Sequence, residues 1–307
     1  MMIVTVVIRA RNCAGDLSKC LAALASQALP NGISIEPIVV DNESEDETPI
    51  VARSKGARVV SIPRLHFSWG RALNYGIREA VGEYVILLSA DAHPVDACFV
   101  ANILRPFDDL RVGSVYGRQI PRPDAPIDEV VRLKRHFPQR AQVFEAATAK
   151  ACHGTAPVSN ACAAIRRSLW SEINYDEELE AGEERVWTEL TLQRGYISFY
   201  EPKAEVYHSH NDPLFRKACR SLDFIVKYRR FKGLPLNISA LIRWLFIFAK
   251  SRVLCCLEPG VGWRMRVNGF ARLPAELAVY AIVFALLRRA PQGNMRSVLW
   301  DLRLTDH

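Results

Sequence analysis

The segment that most limits how this chain can fold is residues 82–94, Gly82-Glu83-Tyr84-Val85-Ile86-Leu87-Leu88-Ser89-Ala90-Asp91-Ala92-His93-Pro94. Its apolar, β-branched run is too short for a typical helix and reads as a buried strand, which Pro94 cannot continue. Asp91 and His93 therefore arrive at the carboxyl tip of a core strand, the edge at which open α/β sheets bind ligands. Taken alone, Asp91 reads equally as the cap of a helix beginning after Pro94. The rest of the chain favours the functional reading.

Upstream, strand and helix patterns alternate. Residues 3–9 are a strand by their β-branched content, and 16–28 follow as a helix with Leu17, Cys20, Leu21, Leu24 and Ala28 on one face. Residues 35–41 are the next strand. Thr48 is placed to cap a short helix with Pro49 at its first position and Gly56 beyond its end. Residues 57–62 form a third strand. Ser68 then caps a helix to about Val81, with Trp69, Leu73, Ile77 and Ala80 facing inward. This order calls for parallel strands and right-handed crossovers, an α/β, Rossmann-like N-terminal half. The turn after the first strand lacks the G-x-G-x-x-G of dinucleotide-binding folds. In its place stand Asn12 and an acidic strand end, residues 41–48. Asp41 at that tip can accept hydrogen bonds from a base or a ribose hydroxyl, whereas Glu45, Asp46 and Glu47 read as a solvated turn.

Prolines punctuate residues 105–160, where only 111–120 and 158–166 look like strands. Residues 121–154 form a long loop with a helical piece at 127–136, the kind of region that covers a site. Asp176 opens a helix that continues to about Arg194 and ends at Gly195. Glu183 and Glu184 lie near its start, where the helix dipole favours carboxylates. As neighbours they point roughly 100° apart, so at most one serves as a base. Short strands at 197–200 and 204–207 lead to His208-Ser209-His210.

With 50% hydrophobic and 24% charged residues, the chain is globular rather than disordered. Its eight cysteines contain no C-x-x-C pair, which argues against structural zinc or a disulfide framework and for a reducing compartment. The N-terminal apolar run lacks a signal-peptide pattern, so the expectation is a cytoplasmic protein. Charge is divided unevenly. Residues 213–307 hold 17 Lys and Arg against 5 Asp and Glu, and residues 1–212 hold 23 against 28.

Taken together, these residues resemble the inverting family 2 glycosyltransferases with the GT-A fold, most closely their bacterial rhamnosyltransferase-like members. The likeness covers residues 3–212 in five blocks: residues 4–12; 38–44 with Asp46 and Thr48; 67–77; the strand ending at Asp91; and 182–187 leading to 206–210. The resemblance implies that Ala10, Arg11 and Asp41 line a nucleoside pocket and that Arg71 and Asn74 lie near the sugar-diphosphate. Asp91 takes the second acidic position of the D-x-D motif, which holds a divalent metal, Mg or Mn. Glu184 stands where the family places its catalytic base, with Glu183 beside it, and His208 is a further metal or diphosphate contact. Such a cation neutralises the leaving diphosphate while the carboxylate takes the proton of the attacking acceptor hydroxyl. Three positions depart from the pattern. Ser89 replaces the first D-x-D carboxylate, so His93 or His208 is expected to assist Asp91. Glutamate replaces aspartate at 184, and Leu73 stands where relatives often carry Arg.

The implied partners are a nucleotide-sugar donor, with dTDP-rhamnose favoured, and a surface-glycan or lipid-linked acceptor. A non-catalytic sugar-nucleotide-binding protein is the alternative. The catalytic domain is expected over residues 1–212 and a basic, apolar helical tail over 213–307. Within the tail, helices are expected at 216–232, 236–257 and 273–287, with no uninterrupted stretch of the ~20 apolar residues that span a bilayer. They suit an anionic membrane surface at the inner face of the cytoplasmic membrane, or packing within the protein or against a second copy. Basic residues alternating with long apolar runs argue against a nucleic-acid partner.

Overall fold

A computed structural model of the chain describes residues 2–146, 158–179, 181–210, 213–219, Leu222, 237–257 and 263–289. The chain divides into two units. One comprises residues up to Arg122 with Leu133–Ser209; the other comprises Pro123–Arg132 and the residues from His210 onward.

In the first unit β1 (Met2–Ala10) lies between β2 (Ile33–Asp41) and β4 (Tyr84–Ser89), parallel to both, and β3 (Arg58–Ser61) continues in parallel beyond β2. Helices α1 (Ala14–Ala25), α2 (Thr48–Ser54) and α3 (Trp69–Arg78) form the crossovers, as the alternating pattern predicts, and α4 (Phe99–Leu104) follows β4. Val4, Val6 and Ile8 of β1 pack with α1 and α4 on one sheet face, and Val7 packs with α3 on the other. Strand alternation thus covers the sheet with helices on both sides.

The remaining strands are β5 (His93–Pro94), β6 (Val112–Ile120), β7 (Gln142–Phe144), β8 (Cys162–Arg166) and β9 (Ile197–Tyr207). The sheet order is β3-β2-β1-β4-β8-β6-β9-β5, with β7 on β9. The sheet is mostly parallel: β1 to β4, β6 and β9 point one way, and β5, β7 and β8 run against them. β8 runs antiparallel to both β4 and β6, while β6 and β9 are parallel. Cys162 pairs with Leu88, so β8 starts at the carboxyl end of β4 and runs back beside it.

Local departures from the sequence pattern have local causes. Thr48 is the first residue of α2 rather than its cap; its Oγ1 accepts from Cys13 N–H at 2.8 Å, and its own N–H goes to Asp46 Oδ1 at 2.9 Å. The two strands expected around Pro202 are one strand, β9, with an irregularity opposite Gly117 and Arg118 that leaves Pro202 outside the ladder. The helix expected from Asp176 starts only at Glu183, as α7 (Glu183–Gln193), after Gly182 at φ +84°. Before it, α6 (Arg167–Glu172) leads into a segment tied to α3 through Glu177, whose carboxylate receives Arg71, Asn74 and Arg78. Trp69 was expected inside but is 41% exposed. The next residue, Gly70, takes the inner place: a Cβ there would stand 2.2 Å from the Asp176 carbonyl oxygen.

Helix α5 (Ile127–His136) begins in the second unit, whose other elements are helical residues 214–219, α8 (Ile238–Leu257) and α9 (Trp263–Arg289). Trp244, Phe248 and Tyr280 pack ring against ring in its core. An ionic cluster lies beside them: Asp128 pairs with Lys217 and with Arg252 at 3.0 Å, and Arg252 reaches Glu276 at 2.7 Å. Most of the helix expected at 216–232 lies outside the described residues. α9 starts ten residues before the expected 273, and Arg266–Ala285 within it is long and apolar enough to cross a membrane by length and composition.

Close packing of α3 on the sheet gives a direct test. A Cβ on Gly76 would meet Val7 Cγ1 at 2.3 Å and Val40 Cγ2 at 2.8 Å, whereas one on Gly15 meets nothing within 4 Å. Gly76→Ala should lose about 1–3 kcal/mol in denaturant unfolding, with Gly15→Ala neutral or slightly stabilised. Equal midpoints for the two variants would contradict this packing.

Candidate active site

Ala10 lies in register with Asp41, and Arg9 with Ser89, so the carboxyl tips of β1, β2 and β4 are level. The strand order reverses between β1 and β4, which opens a crevice at these tips. Asp41 is buried; its Oδ2 accepts from Ser44 N–H at 3.1 Å, and its Oδ1 has no hydrogen-bond partner among the described residues. Arg11 follows Ala10 into a turn where Asn12 adopts φ +45°. That turn is stitched to the acidic loop: Asn12 N–H donates to Ser44 Oγ at 2.9 Å, and Glu45 N–H donates to Asn12 Oδ1 at 2.7 Å. Asp46 is exposed, as expected for a solvated turn, but it also ties that turn together. Burial opposes its charge, but hydrogen bonds from Thr48 and Ala14 outweigh that and hold its pKa below the usual carboxylate value.

On the β4 side, Asp91 Oδ1 lies 3.5 Å from His208 Nε2, and His208 Nδ1 is 2.7 Å from Gln119 Oε1. A proton on Nδ1 satisfies that glutamine oxygen and turns the Nε2 lone pair toward Asp91. Asp91, His208 and His210, two residues further along the chain, bring one ligand atom each to within 4.8 Å of one another. This donor set fits a divalent cation. His93 is not in the group: its Nε2 is 3.6 Å from Asp16 Oδ1, and burial, then the charge of Arg122, lowers its pKa. Arg122, which sequence reasoning missed, braces the site by donating to the Asp91 carbonyl at 2.9 Å while its N–H reaches Ser209 Oγ at 3.0 Å.

Between these two regions lies Arg9, whose side chain is 9% exposed. Its Nη2 donates to Ser89 Oγ at 3.3 Å and to the Asn160 carbonyl at 3.2 Å, and its Nη1 stands 3.6 Å from Glu183 Oε1. Glu183 also receives Asn160 Nδ2 at 3.4 Å and is buried, so it pairs with Arg9 inside the protein. Glu184 is partly buried, and its pKa is pushed up to about 8, first by burial and then by the neighbouring Glu183. Arg9 could have been suspected from the sequence as the one charge in an apolar strand run; Asn160 and Gln119 carry no such signal.

Arg71 and Asn74, expected near the sugar-diphosphate, are hydrogen-bonded within the protein. Arg71 is bonded to Glu177, Glu178 and the His66 carbonyl. Buried Asn74 donates to the Tyr175 carbonyl and Glu177 and accepts from Trp170 Nε1 and Tyr175 N–H. Both fasten α3 to the segment that leads into α7.

A sheet edge of this type beside a cluster that fits a cation suits group transfer from a phosphorylated donor. The model of glycosyl transferase family 2 matches residues 5–173, and the chain belongs to that family. It is 28% identical over 215 residues to the O-antigen chain rhamnosyltransferase RfbN of Salmonella typhimurium, covering 68% of this chain and 67% of that one. Its identity to WbaN of Salmonella anatum, of the same description, is 28% over 57% of this chain and 56% of the relative. The mannosyltransferase PcManGT from Pyrobaculum calidifontis, solved with GDP-Man and Mn2+, superposes at TM-score 0.54 with 18% identity over 98% of this chain and 79% of that one. Glucosyl-3-phosphoglycerate synthase from Mycobacterium tuberculosis gives 0.55 with 21% identity over 76% and 81%. The fold is GT-A, and the chain is a glycosyltransferase.

If Glu184, with its raised pKa, serves as the base, its active ionised fraction grows with pH. Transfer should rise through a limb near pH 8 and level above it. Glu184→Gln should lose about 10²–10⁴-fold in kcat and abolish that limb while nucleotide binding persists. An unchanged profile in the variant would remove Glu184 as the base.

Proposed function

We propose that the chain moves a sugar from a nucleotide-diphosphate donor to a glycan or lipid-linked hydroxyl with inversion, and that the donor is dTDP-rhamnose. The observation that carries this is Arg9, which touches Ser89 on the Asp91 side and Glu183 beside Glu184, so that the cation-binding and base-bearing segments form one site. The names of the two Salmonella relatives support rhamnose. Asp41 is suited to the nucleoside, its unpartnered Oδ1 ready for a donor from base or ribose. Asp91, His208 and His210 would hold the cation, which supplies charge neutralisation at the leaving diphosphate. One carboxylate with two imidazoles suits manganese better than magnesium, which prefers an all-oxygen shell. Glu184 accepts the acceptor hydroxyl's proton, and a single displacement inverts the anomeric centre. A second reading, binding without turnover, is favoured by Ser89 in place of a carboxylate.

The second unit supports a place at a membrane surface. Ile242, Phe246, Trp263 and Val267 are exposed, with Arg243 and Lys250 also exposed on α8. Exposed apolar side chains beside exposed Arg243 and Lys250 suit a bilayer surface, with the cations at anionic head groups.

Thermal melts with dTDP, UDP, GDP and CMP, each with Mn2+, Mg2+ or EDTA, test the donor. The largest rise is expected for dTDP with Mn2+, and Asp91→Asn should erase the metal dependence. No rise with any nucleotide would defeat the transferase reading, and a rise without turnover would favour the binding protein. Vesicles containing phosphatidylglycerol should bind the chain at low salt and release it at high salt. Equal binding to neutral vesicles would count against the electrostatic part.

A further inference from the structure

We infer that Trp69 is a stacking platform for a pyranose ring at the reacting centre, held in place by Arg9. This rests on the transferase reading above and adds to it the residue that senses the sugar. Three observations converge. Trp69 opens α3 directly after its cap, Ser68, whose Oγ accepts Arg71 N–H at 3.1 Å. Gly70 takes the inner side of this turn, where a Cβ would stand 2.2 Å from the Asp176 carbonyl oxygen, and the neighbouring indole is 41% exposed. The Arg9 guanidinium carbon lies 5.0 Å from the ring centroid, and Phe67 meets the indole edge-on at 5.2 Å between centroids and 76°.

The indole is thus fixed by a cation and an aromatic edge, yet is not consumed by the core. Arg9 reports where it stands. The same guanidinium touches Ser89, two residues before Asp91, and Glu183, next to Glu184. The ring accordingly lies where the leaving diphosphate and the base converge on the sugar. A pyranose presents C–H groups on one face and hydroxyls around its rim. An exposed indole takes the former, and the surrounding carboxylates and amides take the latter.

The ring could be the donor's or the acceptor's, and calorimetric titration separates them. The full chain, Trp69→Ala and Trp69→Phe would each be titrated with dTDP, with dTDP-rhamnose, and with methyl α-L-rhamnopyranoside. Trp69→Ala should bind dTDP within about twofold of the unaltered chain but lose roughly tenfold for a sugar-bearing probe, and Trp69→Phe should recover most of that loss. Loss confined to dTDP-rhamnose assigns the donor ring; loss for the free glycoside assigns the acceptor ring. Failure of the unaltered chain to bind dTDP would overturn the donor reading. Intact dTDP binding with equal affinity of wild type and Trp69→Ala for both sugar probes would overturn the platform alone.

Discussion

A buried guanidinium must be surrounded by partners or it destabilises the fold, and Arg9 imposes that demand at the centre of this protein. Its partners come from β4 (Ser89), from the turn before β8 (the Asn160 carbonyl) and from the start of α7 (Glu183), with the Trp69 ring of α3 beside it. Elements distant in sequence are thereby drawn to one point at the carboxyl edge of the sheet. The same requirement explains the two neighbouring glutamates. Glu183 serves the arginine, and its charge together with burial lifts the pKa of Glu184. Removing one member of such a buried pair generally costs about 3–5 kcal/mol, so the pair is a structural commitment as well as an electrostatic one.

Around that point the polar side chains are mostly supports. Glu177 gathers Arg71, Asn74 and Arg78, and Asn74 returns hydrogen bonds to Trp170 and Tyr175. These bonds fasten residues 175–177, and the left-handed Gly182 further on precedes the helix that begins with the two glutamates. Arg122 does the equivalent for the other wall by gripping the Asp91 carbonyl and Ser209. A transfer site needs groups held to a fraction of an ångström, and these tethers supply that rigidity.

Much of this was legible in the sequence. The alternating strand and helix periods, Ser68 as a cap, Gly195 as a stop, Asp91 at a strand tip and the acidic turn after β2 all follow from local chemistry. Such features depend on residues a few positions apart, and so the parallel half of the sheet and the family likeness could be read directly. Asn160, Gln119 and Arg122 could not, because a lone polar residue, in a loop or in a strand, looks the same whether it faces water or a buried charge.

What the sequence by itself determined was the set of elements and the chemical groups at their ends: apolar runs that must be buried, and carboxylates and imidazoles at the tips. What only the tertiary structure decided was the use of each group. It set Glu183 against Arg9 and left Glu184 as the weak acid, exchanged His93 for His210 beside Asp91, turned Arg71 and Asn74 into fasteners, and placed Trp69 outside. Each outcome depends on which distant segment arrives next to a side chain, and burial and charge at close range are properties of that arrangement rather than of local pattern.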